Sequence, residues 1–239
     1  METLKFAYII EPPFNDRTPD GSVIGCDVEL ACTILRDRLG MSTELVETEF
    51  AELIPGLAQG RWDMTTAMFA TPARQTEACF SRPIWALTDG LLVAGDNPLA
   101  LEGYRSVAHT PQARLAVLHG QEQRSTAQNH GVSDDQLVQF ESYRDAAEAV
   151  RAGTVDAYAS VARAHAGFLA TRTDWALDIV AVPQSEKPPA FGSFVFARQN
   201  TALRDAVNRE LDAFLGSTRH REMVAVYGFT DTDVDLLLA

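Results

Sequence analysis

Long apolar segments are missing from this sequence. The apolar runs, such as Gly90 to Gly95 and Leu236 to Ala239, fall far short of the roughly 20 residues that a helix needs to cross a bilayer. The sequence therefore predicts no membrane-spanning helix. The first residues also lack the basic region and the apolar stretch of a signal peptide, so the chain is expected either to be cytoplasmic or to have lost a leader.

Basic residues are also scarce. The 239 residues include 20 Lys and Arg against 33 Asp and Glu, for a formal net charge of −13. Such a charge repels phosphate backbones and anionic lipid surfaces, so nucleic acid is excluded as a partner. A hydrophobic fraction of 46% is nevertheless that of an ordinary folded protein with one large core or two small ones.

Motifs for metals, cofactors and common catalytic chemistries are absent. The three cysteines cannot all pair and match no zinc pattern, so they are expected to be free thiols buried in the core. The histidines show no metal-ligand spacing, and neither a nucleophile elbow nor a phosphate-binding loop occurs. No cofactor and no metal site are predicted. The residues concerned are Cys26, Cys32, Cys79, His109, His119, His130, His165 and His220.

Strands and helices alternate through the first third of the chain. Leu4 to Ile10 reads as a buried strand, and a helical apolar pattern runs to Gly40 from Asp27, which is a candidate N-cap. Thr43 to Val46 and Met64 to Met68 read as further strands on either side of a helix, Ala51 to Gln59. This order predicts an α/β fold with a mostly parallel sheet and ligands at the carboxyl ends of the strands.

The same order restarts after the turn Asp96-Asn97-Pro98. Two strand-like segments, Gly90 to Ala94 and Ser193 to Ala197, bracket this second α/β region. The chain is therefore expected to leave one lobe and return to it. The predicted lobes are 1–92 plus 195–239 and 93–194, with a cleft between them.

Motifs distributed over nearly the whole chain resemble those of the amino-acid class of periplasmic solute-binding proteins of ABC importers. They are PPF (Pro12 to Phe14), GxDVEL (Gly25 to Leu30), FAELIPGLAQGRWD (Phe50 to Asp63), TPAR (Thr71 to Arg74), FSRPIW (Phe80 to Trp85), AVRAGTVDAY (Ala149 to Tyr158), GSFVFAR (Gly192 to Arg198) and LRDAVNRELDAFL (Leu203 to Leu215). The resemblance implies a type II binding-protein fold, with two hinge strands and two lobes that close on a ligand. It also implies a monomer outside the cytoplasm that delivers a small solute to a membrane permease.

The resemblance also implies ligand-binding residues in the first lobe. Arg74 matches the arginine that grips the ligand carboxylate in this family, a role that suits a planar guanidinium. Thr71, at the start of the same TPAR motif, is also predicted to bind the ligand. Phe14 matches one wall of the cleft. The set Glu11, Phe14, Phe69 and Arg74 resembles the pocket of the ectoine- and hydroxyectoine-binding branch, where a carboxylate and aromatic faces bind a zwitterion with a delocalised cation. The alternative is that Glu11 is a solvated loop acid and Phe69 a core residue.

The second lobe departs from the pattern of α-amino-acid binders. Those proteins carry an ammonium-binding Asp five residues after the Asp of the VDA motif, where this chain has Val161, preceded by Ser160. The usual Gly-Ser/Thr-Thr motif is replaced by Gly120-Gln121-Glu122. The predicted second-lobe contacts are Gln121, Gln123 and Ser160.

The preferred hypothesis is therefore a solute-binding protein for ectoine or hydroxyectoine that is not an enzyme. Three alternatives stay open at this point. They are a binder of polar amino acids, the sensory ectodomain of a longer receptor, and a dehydratase like a few relatives that use a cleft carboxylate as general acid or base.

Overall fold

The computed structural model describes residues 3–238, in which the chain forms two compact units. One unit ends its first segment at Ala86 and resumes at Phe191, and the other is Leu87–Ala190. The chain thus crosses from one unit to the other twice. The α/β fold class predicted from the alternation of strands and helices is confirmed.

The first unit contains the following strands and helices, two of which, Trp85–Leu87 and Ala190–Ala197, extend across the crossings. They are β1 (Leu4–Tyr8), β2 (Asp16–Arg17), β3 (Val23–Ile24), α1 (Cys26–Cys32, continued by a π-helical turn at Thr33–Arg38), β4 (Thr43–Glu47), a 3-10 turn (Phe50–Glu52), α2 (Leu53–Ala58), β5 (Met64–Phe69), α3 (Pro72–Gln75), β6 (Ala78–Phe80), β7 (Trp85–Leu87) and, after the second unit, β13 (Ala190–Ala197), α8 (Thr201–Phe214), α9 (Thr218–Ala225) and α10 (Asp231–Asp235). Helix α8 begins and ends within one residue of the range that its amphipathic pattern predicts.

The main sheet of the first unit has, among the described residues, the order β4-β1-β5-β13-β6, with β7 paired to β13. Strand β1 runs parallel to β4 and β5, as the βα alternation predicts. Strand β13 is antiparallel to β5 and β6, because it carries the chain back from the second unit. The sheet is therefore mixed rather than mostly parallel, and the difference comes from the returning strand.

Helix α1 begins differently from the prediction. Its N-cap is Gly25, which has φ 131°, and a Cβ there would lie 2.1 Å from the carbonyl oxygen of Phe14. Only glycine fits this close approach. The prediction that Asp27 is the N-cap is therefore wrong. Asp27 lies inside the first turn, is buried, and accepts long-range hydrogen bonds instead.

The second unit repeats the α/β design. Its elements are β8 (Asp89–Ala94), α4 (Tyr104–Ala108), β9 (Leu115–Leu118), α5 (Gln123–Asn129), a 3-10 turn (Asp134–Gln136), β10 (Leu137–Phe140), α6 (Tyr143–Arg151), β11 (Ala157–Val161), α7 (Ala162–Ala170) and β12 (Leu177–Ala181). The strand order within the described chain is β10-β9-β11-β8-β12. Strands β9, β10 and β11 are parallel, whereas β8 is antiparallel to both of its neighbours.

Each unit has its own apolar core. In the first, Ala7 on β1 and Val195 on β13 pack with Leu53 and Leu57 of α2 and with Trp62. The second is built mainly from aliphatic residues of β8, β9 and β11 together with α4. The cysteines are free, as predicted, but only Cys26 is fully buried; Cys32 and Cys79 are half-buried, so the expected burial is only partly correct.

A buried histidine links β8 to α6 and α7 in the second unit. The His165 side chain has no exposed surface, and its Nε2 lies 3.2 Å from the carbonyl oxygen of Gly90. Because a carbonyl only accepts, Nε2 carries the proton and donates, and Nδ1 accepts from the Tyr143 hydroxyl at 2.5 Å. Burial lowers the pKa of His165 from 6.5 to about 4.

We expect this histidine to make stability depend on pH. Between the unfolded pKa of 6.5 and the folded pKa of about 4, the unfolded chain binds more protons, so stability falls as the pH falls through this window. Lowering the pH from about 7 to about 5 should remove about 1–2 kcal/mol of unfolding free energy through His165. In urea titrations at several pH values, His165→Gln should reduce the pH dependence of the unfolding free energy by that amount. A pH dependence equal to that of the wild-type protein would contradict this assignment.

Candidate functional site

The loop after β1 holds Glu11 and Phe14 in a closed turn. The backbone N–H of Glu11 donates to the carbonyl of Asn15 at 3.0 Å, and the N–H of Asn15 donates back at 3.2 Å. The start of α1 fixes the loop from outside, because the N–H of Asp27 donates to the carbonyl of Phe14 at 3.0 Å. Glu11 and Phe14 are 8% and 4% exposed, so this acid is not a solvated loop residue. A carboxylate this buried requires compensation by a partner charge or by hydrogen bonds.

Three aromatic rings meet beside this loop. The ring centroid of Trp85 lies 5.4 Å from that of Phe14 and 5.6 Å from that of Phe69, so the indole stands between the two phenylalanines. Both separations fall in the range of favourable aromatic pairs. Phe69 is the last residue of β5, at the carboxyl end of a parallel strand. The two phenylalanines predicted from the sequence are therefore brought together through a third ring.

Arg74 lies on α3, directly after β5. The hydroxyl of Thr71 caps this helix by accepting the N–H of Arg74 at 3.4 Å. The guanidinium donates from Nη1 to the carbonyl oxygen of Phe69 at 2.9 Å, and its Cζ lies 5.2 Å from the ring centroid of Phe50. The hydrogen bond and the aromatic contact both help to orient the planar fork. Thr71 thus has a structural role in this site, whatever it contacts besides.

The predicted second-unit residues are all buried. Gln121, Gln123 and Ser160 are 8%, 3% and 1% exposed. Gln123 is the first residue of α5, and its Nε2 donates to Oδ1 of Asp89 at 3.2 Å. The hydroxyl of Tyr104 donates to the other carboxylate oxygen at 2.5 Å. Because the amide nitrogen of Gln123 is turned toward Asp89, its carbonyl oxygen points away from this carboxylate and can act as an acceptor elsewhere.

Asp89 lies beside Val161, the position at which this chain lacks the Asp of α-amino-acid binders. In the antiparallel ladder Val161 pairs directly with Asp89, and directly paired residues project from the same face of a sheet. Burial raises the pKa of Asp89, while the hydrogen bond from Tyr104 and the positive charge of Lys187 oppose that rise. The second unit therefore contains a buried carboxyl group next to the position where α-amino-acid binders carry theirs.

Several residues of this site were missed by sequence reasoning. Phe50 and Trp85 lie inside family motifs that predict no role for them, Asp27 has the local pattern of a helix cap, and the sequence around Asp89 and Tyr104 indicates no site. Trp85 had a usable signal, since a large aromatic residue at the end of FSRPIW lies just before the first crossing. The ladder register that places Asp89 beside Val161 has no local sequence signal.

Within residues 3–238, no cluster of His, Cys, Asp and Glu has a geometry suited to a metal ion. In the same part of the chain, no helix combines the length and the apolar character that crossing a membrane requires.

Comparison with known families gives one match over almost the entire chain. Residues 4–229 match the bacterial extracellular solute-binding proteins, family 3. Among curated proteins, the chain is 30% identical over 228 residues to a probable amino-acid ABC transporter periplasmic-binding protein of Sinorhizobium fredii, covering 92% of this chain and 74% of that protein. It is 26% identical over 203 residues to the histidine-binding periplasmic protein of Salmonella typhimurium, covering 82% and 76%.

Solved structures share the fold. A crystal structure of EhuB in complex with hydroxyectoine superposes with a TM-score of 0.89 at 25% identity and covers 98% of this chain and 91% of that one. Other superposable structures include amino-acid-binding and arginine-binding proteins at 20–23% identity, which supports the fold alone. The matched family consists of solute-binding proteins, not enzymes, as the sequence analysis expected.

Proposed function

Because this chain belongs to the bacterial extracellular solute-binding proteins, family 3, we propose that it captures a small zwitterion, preferably ectoine or hydroxyectoine, for an ABC importer. It acts outside the cytoplasm as a monomer and presents the solute to a membrane permease. The observation that carries the ligand assignment is the placement of Trp85 between Phe14 and Phe69, in the unit that also holds Glu11 and Arg74.

In this proposal Arg74 binds the carboxylate of the solute. A guanidinium has five N–H donors in a planar fork that matches a carboxylate bidentately. Its contacts with the Phe69 carbonyl and the Phe50 ring orient this fork before any ligand arrives. Orientation in advance favours binding, because less side-chain entropy is lost when the ligand is held.

The cation of the solute is assigned to Glu11 and the aromatic rings. A ring cation whose charge is spread over several atoms suits flat aromatic faces, which contribute roughly 0.5–2 kcal/mol each by cation–π attraction. The buried carboxylate of Glu11 supplies the countercharge that desolvation of a cation requires. An α-ammonium group concentrates its charge on one nitrogen and gains less from two flat walls.

The second unit is proposed to contribute Gln121, Gln123 and Ser160. Since the Gln123 amide nitrogen is engaged by Asp89, the carboxamide offers its oxygen to an N–H group of the solute. The absence of an acid at Val161 argues against a tightly held α-ammonium group.

A polar amino acid is the second candidate ligand. Two observations favour it: the similarity to a histidine-binding periplasmic protein over 203 residues, and the buried carboxyl group of Asp89 opposite Val161. Asp89 already accepts hydrogen bonds from Tyr104 and Gln123 and lies near the positive charge of Lys187, so much of its charge is compensated within its own unit. We therefore rank this candidate second.

A thermal-shift screen separates these two ligand classes. A solute that binds only the folded protein, present at about ten times its dissociation constant, adds roughly 1.4 kcal/mol to the unfolding free energy. For a chain of this size this corresponds to a rise in melting temperature of about 3–6 °C. We expect that rise with ectoine or hydroxyectoine and a smaller one with histidine, arginine or glutamine at the same concentration. A larger shift with any of these amino acids would replace the ectoine assignment with the second candidate.

A further inference from the structure

The buried carboxylate of Asp27 connects the chain segments that carry Phe14, Phe69 and Trp85. Asp27 is 1% exposed. Its Oδ2 accepts the Thr66 hydroxyl at 2.7 Å and the N–H of Ala67 at 2.9 Å, both on β5. Its Oδ1 accepts the indole N–H of Trp85 at 3.0 Å. Every one of these partners donates, which is the arrangement that an ionised carboxylate requires.

The loop that carries Phe14 is connected to the same carboxylate through hydrogen bonds. Asn15, which closes the loop carrying Phe14, donates from Nδ2 to the hydroxyl oxygen of Thr66 at 2.8 Å, and that hydroxyl donates to Asp27. The backbone N–H of Asp27 also donates to the carbonyl oxygen of Phe14 at 3.0 Å. The loop with Phe14, strand β5 ending in Phe69, and Trp85 therefore all converge on Asp27.

The Trp85 indole has little space in which to move. A Cβ at Gly192 would lie 2.0 Å from the ring carbons of Trp85, so the indole packs directly against the backbone of β13. The same ring contacts Phe14 and Phe69. With the backbone on one side, the hydrogen bond to Asp27 decides where the ring lies between the two phenylalanines.

We propose that Asp27 is a positioning residue for solute binding: by holding the Trp85 indole, it sets the separation between the Phe14 and Phe69 walls and thereby the ring-shaped solutes that fit. This inference rests on the proposed function and extends it to residues outside the predicted site. Dispersion contact falls by a quarter to a half when a gap of 0.5–1 Å opens. A wall that shifts by this distance therefore loses affinity even though no residue touching the solute has been changed.

The chain offers a matched control for this proposal. Trp62 is 5% exposed and Trp85 is 7% exposed, and both lie in the first unit. The indole of Trp62 donates to the carbonyl oxygen of Leu53 at 2.8 Å and packs on Gly56, as the indole of Trp85 donates to Asp27 and packs on Gly192. Trp62→Phe and Trp85→Phe thus each remove one buried indole hydrogen bond, and only the second affects the Asp27 connection.

The experiment compares these two variants by calorimetric titration with the solute that gives the largest shift in the thermal screen, alongside their melting curves. Both variants should melt at lower temperature. Trp85→Phe should weaken binding about tenfold, and Trp62→Phe should change it less than twofold. Equal affinities for the two variants, whether lowered or not, would overturn the proposal.

A fluorescence measurement tests the connection without any ligand. In a Trp62→Phe/Trp175→Phe background, Trp85 is the one remaining tryptophan. Asp27→Asn preserves side-chain shape but places an amide among groups that all donate, so the emission maximum of Trp85 should shift. An unchanged emission spectrum would contradict the role of Asp27. If an amino acid proves to be the preferred solute, the ectoine assignment fails, and the titration stays decisive with that amino acid as titrant, while the fluorescence test needs no ligand.

Discussion

Replacing Arg74 with alanine is expected to weaken solute binding by about 3–5 kcal/mol, the range observed when one partner of a buried ion pair is removed. The variant would leave the carboxylate of the solute desolvated and without its countercharge. Within the protein, the substitution also removes a hydrogen bond to the carbonyl oxygen of Phe69 and a contact with the Phe50 ring. Calorimetric titration of the purified variant measures the loss, and melting curves measure the stability.

Two variants control for general effects of the substitution. Arg61→Ala removes another guanidinium that lies over an aromatic ring, that of Trp62 at 4.5 Å, and should leave affinity unchanged. Arg74→Lys retains the positive charge but not the planar fork, so it should recover only part of the affinity. Wild-type affinity in Arg74→Ala would remove this residue from the site.

Replacing Glu11 with glutamine is expected to weaken binding by about 1.5–3 kcal/mol, the range for a hydrogen bond to a charged group. The change preserves side-chain shape and leaves the backbone hydrogen bonds between Glu11 and Asn15 intact. It removes the charge that we assign to the cation of the solute. Titration with ectoine gives the affinity, and exposed Glu44→Gln on β4 serves as the matched control.

The same measurement distinguishes a binding role from a structural one. If the Glu11 carboxylate serves folding, Glu11→Gln shifts the melting temperature of the ligand-free protein and leaves the affinity for ectoine at the wild-type level. That result would contradict the proposed countercharge while leaving the carboxylate contact of Arg74 intact.

Local pattern was sufficient to predict most of the fold. The spacing of apolar residues placed α8 within one residue of its observed bounds, because burial on one face imposes this periodicity on the sequence. A short run of strand-forming residues placed β5 equally closely, although that strand is buried along its whole length. The direction of β13 was not predictable in this way. It depends on where the chain re-enters the first sheet, and a short apolar run looks the same in either direction.

The site was only partly predictable, because some of its contacts join residues that are far apart along the chain. Phe14 and Arg74 stand in motifs that can be compared with a family, and Phe69 lies five residues before Arg74. The role of Asp27 depends on hydrogen bonds to Thr66 and Trp85, which lie 39 and 58 positions away along the chain. Locally, an aspartate before an apolar helical pattern has the chemistry of an N-cap, whereas the fold buries Asp27 inside the first turn of α1.

The most direct test of the central claim is a crystal structure of the wild-type protein with bound ectoine. We expect the carboxylate of the solute to pair with the Arg74 guanidinium, and its ring cation to lie against Phe14 and Phe69 within hydrogen-bond distance of the Glu11 carboxylate. Ectoine bound with its carboxylate away from Arg74, or with its ring away from these two walls, would contradict the account.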